Sequence, residues 1–173
     1  MSRNASIRRA FVLMSALFFL LQTSCSSERV GWQLQETISH RPAFKIVKIY
    51  HATSNPRTGL ELEISQSLSG LRSHINIFSR RIPPFSGDSE KALVTLVSDS
   101  TRKNLIVSRL KGGQRLLLAP EQTALLISSL KNNQETHIYL EGFEERIIST
   151  DFTKFLSKMD SLAAVKKNES AWF

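Results

Sequence analysis

Residues 60–78 read LELEISQSLSGLRSHINIF. Leu60, Leu62 and Ile64 alternate with Glu61, Glu63 and Ser65; after Ser69-Gly70 the alternation resumes, Leu71, Ser73, Ile75 and Ile77 against Arg72, His74, Asn76 and Phe78. Successive side chains of a strand point to opposite faces, so a period of two means one covered and one wet face. Two such runs across a short turn predict an antiparallel hairpin. A sheet of this kind must bury its apolar face against something, and the rest of the chain has to supply the cover.

Upstream, residues 43–50 (AFKIVKIY) are rich in β-branched and aromatic residues and read as a strand, with a turn by composition at 55–59. Downstream, residues 80–90 (RRIPPFSGDSE) cannot be a central strand, because Pro83 and Pro84 lack ladder donors. Residues 92–97 (ALVTLV) are apolar at both parities, which predicts a strand covered on both faces, and 105–110 pairs with it. Gly112-Gly113 is a turn and 115–119 a short strand. Pro120-Glu121 opens a helix with Ala124, Ile127 and Leu130 at core spacing, ended by Asn132-Asn133. Residues 135–141 put Thr136, Ile138 and Leu140 opposite His137 and Tyr139; Gly142 turns the chain and 144–149 returns. Thr150 or Asp151 caps a last helix with Phe152, Phe155, Leu156, Met159 and Leu162 on one stripe.

The expected fold is α+β: an antiparallel sheet of about seven or eight strands with two helices in the C-terminal half, preceded by a cleaved signal peptide. The expected segments are a signal over 1–24, a tether over 25–42 from which Trp32 or Leu34 docks on the core, a single domain over 43–165, and a frayed tail over 166–173. The chain has 173 residues, 41% of them apolar, with a formal net charge of +8. That length suits one domain. A single cysteine excludes an intrachain disulfide framework and any multi-thiolate metal site.

Met1–Ser24 does not read as the start of a fold. Arg3, Arg8 and Arg9 form a basic head, and residues 10–21 (AFVLMSALFFLL) contain only Ser15 as a polar residue. These are the charged region and short apolar core of an export signal. Twelve residues are too few for a spanning helix, which needs ~20. Gln22-Thr23-Ser24-Cys25-Ser26-Ser27 then resembles the lipobox of bacterial lipoproteins, in which small residues precede the one cysteine that receives diacylglycerol. Gln22 stands where that family usually has Leu or another aliphatic residue. Cleavage without lipid and an uncleaved anchor remain as alternatives. The resemblance implies lipid on Cys25. Ser26 rather than Asp after it implies the outer membrane rather than the inner.

With Cys25 as the first residue, three arginines and no acids are lost and +8 becomes +5. The remaining cations are scattered, with no run of five or six, which argues against a nucleic-acid partner. The cadence of the second half, with its turn, helix, hairpin and capped helix, is similar to that of small envelope proteins of the invasion-associated locus B type. That similarity implies a fold and no functional residue.

Candidate chemistry is sparse. His74 and His137 fall on the polar parity of their strands and read as solvated; His40 and His51 read as edge or turn residues. HExxH, CxxC and GxSxG are all missing, and the glycines fit no phosphate loop. Glu61 and Glu63 lie on one strand face about 6.8 Å apart, within the range of an inverting glycosidase pair, but read as a solubilising face. Metal and cofactor are therefore not expected. Arg80, Arg81, Ile82 and Phe85 put apolar bulk beside stiff prolines inside a loop, the one candidate for partner contact, against a plainer reading in which Ile82 and Phe85 tuck under the sheet. The expected function is a lipid-anchored envelope protein that binds or scaffolds another envelope component without catalysis. The alternatives are a periplasmic or surface enzyme with an unmotifed site and a secreted, unlipidated factor.

Overall fold

The computed structural model describes residues 31–37, 46–53, 55, 57–67, 70–99 and 101–170. Along them run β1 (Gly31–Thr37), β2 (Ile46–Ala52), β3 (Glu61–Ser67), β4 (Gly70–Asn76), β5 (Lys91–Ser98), β6 (Thr101–Arg109), β7 (Arg115–Leu117), α1 (Pro120–Lys131), β8 (Thr136–Leu140), β9 (Phe143–Ile147) and α2 (Phe152–Ser170). The nine strands form one sheet in the order β1-β2-β3-β4-β7-β6-β5-β8-β9, antiparallel throughout. The fold is α+β, with both helices in the C-terminal half.

The hairpin read over 60–78 is present, pairing Leu62 with Ile75 and Ile64 with Ser73. The same face continues through His51 and Ile49 of β2, Leu116 of β7, Val107 of β6, Ala92, Val94 and Leu96 of β5, and Ile138 and Leu140 of β8. Most of these side chains are fully buried. Helix α2 covers β1 to β3 and α1 covers β4, so both helices lie on this one face. In α2 the expected stripe holds: Phe152, Leu156 and Met159 are buried, and Phe155 and Leu162 pack against them. In α1 the buried face is Thr123, Leu126, Ile127, Ser129 and Leu130; Ala124, expected inside, is exposed. The β8–β9 hairpin turns on Glu141 and Gly142 at φ +36° and +80°, the double left-handed geometry of a type I′ two-residue loop.

Strand β6 starts at Thr101 rather than at 105, and two boundaries toward the ends of the chain also differ from expectation. The expected tether over 25–42 contains β1, which pairs with β2 from Gly31↔Ala52 to Thr37↔Ile46. Trp32 and Leu34 do reach the core, but as the inward side chains of a strand. Two apolar residues in seven are too few to show a period, and the strand is made by the backbone partner that β2 offers. At the other end, α2 runs to Ser170, past the expected limit at 165.

Right-handed twist of ~20–25° per neighbouring pair accumulates over nine strands to about half a turn. The far end of the sheet therefore comes round, and β9 lies across the ends of β1 to β4. Ile148 meets Trp32 and His51, Glu145 meets Thr53, and the Glu141–Phe143 turn meets Arg80. Gly59 sits under this seam, where a Cβ would run into the Thr53 side chain, a Glu145 carboxylate oxygen and the Asn55 carbonyl.

Trp32 is the closing piece. Its ring packs on Phe152 with centroids 4.7 Å apart, and its Nε1 donates to the Ile148 carbonyl at 2.6 Å. Trp32→Ala should cost ~3–5 kcal/mol, as emptying a buried aromatic site does. Chemical denaturation will measure it; a variant that unfolds like the wild type would return residues 31–37 to the role of tether.

Candidate functional site

The segment between β4 and β5 carries the sequence candidates, and hydrogen bonds place each of them. Ile82 is 1% exposed, its N–H donates to the Gly113 carbonyl at 2.7 Å, and its own carbonyl accepts from Arg109 Nε at 2.7 Å. Ile82 is thus a core residue, tucked under the sheet. Phe85 is half-buried and closes a small turn, with its N–H on the Lys91 carbonyl and its carbonyl taking the Asp88 N–H. Arg80 spans to the β8–β9 turn, donating to the Glu141 carbonyl and lying 4.8 Å over the Phe143 ring. Arg81 is exposed.

Arg109, which the sequence reading passes over, holds this loop at both ends: Nε to Ile82 and a terminal nitrogen to the Ser89 carbonyl at 2.9 Å. Gly113 at φ +70° lies against the same guanidinium, where a Cβ would collide with it. One planar fork thus fixes the two arms of a loop whose prolines have no N–H to give.

Between the loop and the helix-free face of the sheet opens a cleft of about 350 Å³, lined by Ile82, Pro83, Phe85, Leu93, Thr95, Arg102, Tyr139, Leu140 and Glu141. The doubly apolar β5 is explained here: Ala92, Val94 and Leu96 face the helices, while Leu93 faces the cleft. Its wall is apolar and its rim polar. Tyr139 holds Glu144 through its hydroxyl, and that bond raises the phenol above its usual range, so it remains a donor. His137 stacks on Tyr139 at 6.0 Å and bonds Glu135, whose carboxyl this bond and the nearby Arg146 lower. A small apolar or aromatic group entering beside a cation and a phenol fits such a lining.

A second depression, on the same face, surrounds Glu63. The expected wet pair separates here: Glu61 bonds the Asn76 side chain, whereas Glu63 is buried with Lys48 at 3.1 Å and Arg115 at 2.6 Å. His74, expected to be solvated, is buried beside it, its Nδ1 3.6 Å from the carboxylate and too far for a hydrogen bond. Desolvation first, then the Arg115 charge, lowers the His74 pKa. The two cations hold the Glu63 oxygens, and this arrangement ties β3 to β2 and, across β4, to β7. It gives no support to a glycosidase pair.

His51, expected at an edge or turn, is fully buried on the helix face. Its Nε2 accepts the Ile148 N–H at 3.1 Å, which places the ring proton on Nδ1, and Nδ1 has no partner. Burial lowers its pKa, opposed in part by the Glu145 carboxylate. Glu145, fully buried, takes the Thr53 hydroxyl at 2.6 Å.

Among the described residues no group of three or more His, Cys, Asp or Glu is placed to hold a metal, and no helix is long and apolar enough to cross a membrane. Residues 1–24, Cys25 and His40 lie outside the described residues. No protein-family model, curated protein or solved structure matches the chain.

Arg109→Ala should strand the Ile82 and Ser89 carbonyls and cost ~1–3 kcal/mol, with new protease cleavage inside 83–90. Arg81→Ser should leave the melt within ~0.5 kcal/mol. Equal stability of the two variants would remove Arg109 as the loop's clasp.

The lowered histidines set a pH dependence. Above the ordinary histidine value of 6.5, folded and unfolded chains are both neutral at His51 and stability is complete. As the pH falls below 6.5, the unfolded chain takes up protons that the folded chain refuses, so stability declines; His74 acts in the same direction. Melting temperatures between pH 8 and about pH 5 should fall, and His51→Gln should flatten that slope. An unchanged slope in this variant would place the dependence elsewhere.

Proposed function

We propose that the chain is an exported, lipid-anchored protein of the cell envelope that works as a binding or scaffolding module and not by catalysis. Its address is the basic head, the twelve-residue apolar run and the single cysteine at the end of that run. Lipid on Cys25 would join the domain to the membrane, and Ser26 after it favours the outer membrane. The observation that carries the binding half is the cleft beside Phe85, about 350 Å³, open on the sheet face that bears no helix.

The physical argument is one of cost. Pro83 and Pro84, clasped through Arg109, present Phe85 in a loop that has little freedom left to lose, so ordering on contact is cheap. Leu93 lies in the cleft, and its paired neighbour on the next strand, Ile106, is 52% exposed, so apolar surface continues outward from the mouth. Arg102 and Arg81 add exposed cations that speed encounter with an acidic partner.

Growth with a labelled fatty acid should label the wild type and leave Cys25→Ala unlabelled; label kept by the variant would sink the anchor. Envelope proteins captured with the detergent-solubilised wild type should be lost with Phe85→Ala and with Arg102→Ser, and kept with Lys158→Ala on α2. Capture that ignores both cleft variants would remove the cleft as the binding site.

A further inference from the structure

The start of β1 lies at an edge of the sheet that is rich in unpaired cations. Gly31 pairs with Ala52, so the chain enters β1 beside the connection from β2 to β3, where Arg57 is exposed. Glu61, at the far end of that connection, pairs with Asn76. The segment after β4, with Phe78, Arg80 and Arg81, therefore leaves the sheet at the same end. The turn before β7 is laid alongside it by two hydrogen bonds, Gln114 Nε2 to the Phe78 carbonyl and Ile82 N–H to the Gly113 carbonyl, which brings Lys111 to this edge. Three strand spacings, ~14 Å, separate β1 from β4.

Arg57, Arg81 and Lys111 are exposed and make no ion pair among the described residues. Phe78, between them in the chain, is 54% exposed and is the most exposed large apolar side chain described. The neighbouring acids are partly spent: Asp88 is paired with Lys91 at 2.9 Å, and Glu61 bonds Asn76. Glu90, Glu141, Glu144 and Asp151 are exposed acids near this end, against four arginines and lysines counting Arg80. Of these acids, Glu144 is held by Tyr139 and His137, and Asp151 lies next to the Phe152 that packs on Trp32.

Cys25 precedes Gly31 by six residues, and six extended residues reach at most ~22 Å. We propose that Arg57, Phe78, Arg81 and Lys111 form the face that rests on an anionic lipid surface, an inference that builds on the lipid anchor at Cys25. A leash this short keeps the end of the sheet nearest β1 close to the membrane at all times. Basic side chains there gain from anionic headgroups, on the order of fivefold in binding for each. A phenyl ring beside them suits the boundary between headgroups and water. The same seating turns the cleft beside Phe85, a few residues further along, toward partners held at the membrane.

Lipidation consumes the only thiol, so an introduced cysteine is a unique reporter. Full-length protein carrying Ser79→Cys, next to Phe78, is anchored in vesicles of phosphatidylethanolamine with phosphatidylglycerol or in vesicles of phosphatidylcholine alone, and reacted with a water-soluble maleimide. Labelling should be slower by about tenfold on the anionic vesicles, and high salt or Arg81→Ser with Lys111→Ser should restore most of it. Lys158→Cys on α2 should react alike on both. Equal rates at Ser79→Cys would overturn the docking face and leave the anchor standing. Wild-type protein that itself takes up maleimide at Cys25 would instead overturn the anchor, and the docking face with it.

Discussion

The peptide of Ile148 is gripped from both sides: His51 accepts its N–H and Trp32 donates to its carbonyl. Everything that gives this sheet a closed interior depends on that grip. Nine strands with a single apolar face could spread as an open, twisted sheet, leaving the backbone just past β9 to water. Here twist brings that backbone over the ends of the first strands, where burial makes each unpaired N–H or carbonyl expensive. An imidazole and an indole meet the requirement because each is a flat apolar body with one polar atom at its rim. Trp32 then passes the contact to Phe152, so the first residue of α2 is fixed by the same arrangement that closes the sheet.

Closure on the helix face leaves the opposite face to do other work. There charge is used as structure: Glu63 is nearly enclosed, and Lys48 and Arg115 supply what water would have supplied. Burying a carboxylate is tolerable when its oxygens are occupied by cations, and removing either partner would leave it stranded. A few strands away the same face is uncovered and apolar, with Leu93 and Ile106 side by side below the proline loop. The molecule thus has one face sealed by helices and another that is part clasp, part open surface. The proposed binding falls on the open part, where little has to be moved aside.

Arg109 and Arg80 show how the loop between β4 and β5 is kept in place without strand pairing of its own. Each guanidinium reaches backbone carbonyls rather than acids, and Arg80 adds the Phe143 ring. Such contacts are indifferent to the side chains of the segment they hold, which leaves those of Phe85 and Arg81 free for the proposed partner.

The period-two alternation at 60–78, the helical stripe from Phe152 to Leu162 and the turn at Gly142 were decided locally. Each is a pattern that one segment needs in order to bury its own apolar side chains, so sheet, helices and fold class were legible before any contact was known. The proline loop was legible as a break, and Ile82 as one of two possibilities. The proposed address over residues 1–25 rests on composition and spacing alone, outside the fold. What the sequence could not determine were the partners of polar atoms. His51 and His74 sit at positions that look like edge or wet face, and Glu63 alternates just as Glu61 does; their burial follows from which strands lie next to β2 and β4, and from β9 crossing the strand ends. Strand β1 has too short a pattern to announce itself and exists because β2 offers an unpaired edge. Periodicity records the face a residue shows within its own segment, whereas closure, ion pairing and strand adjacency join residues as far apart as Trp32 and Ile148, and only the folded chain settles which of those distant groups meet.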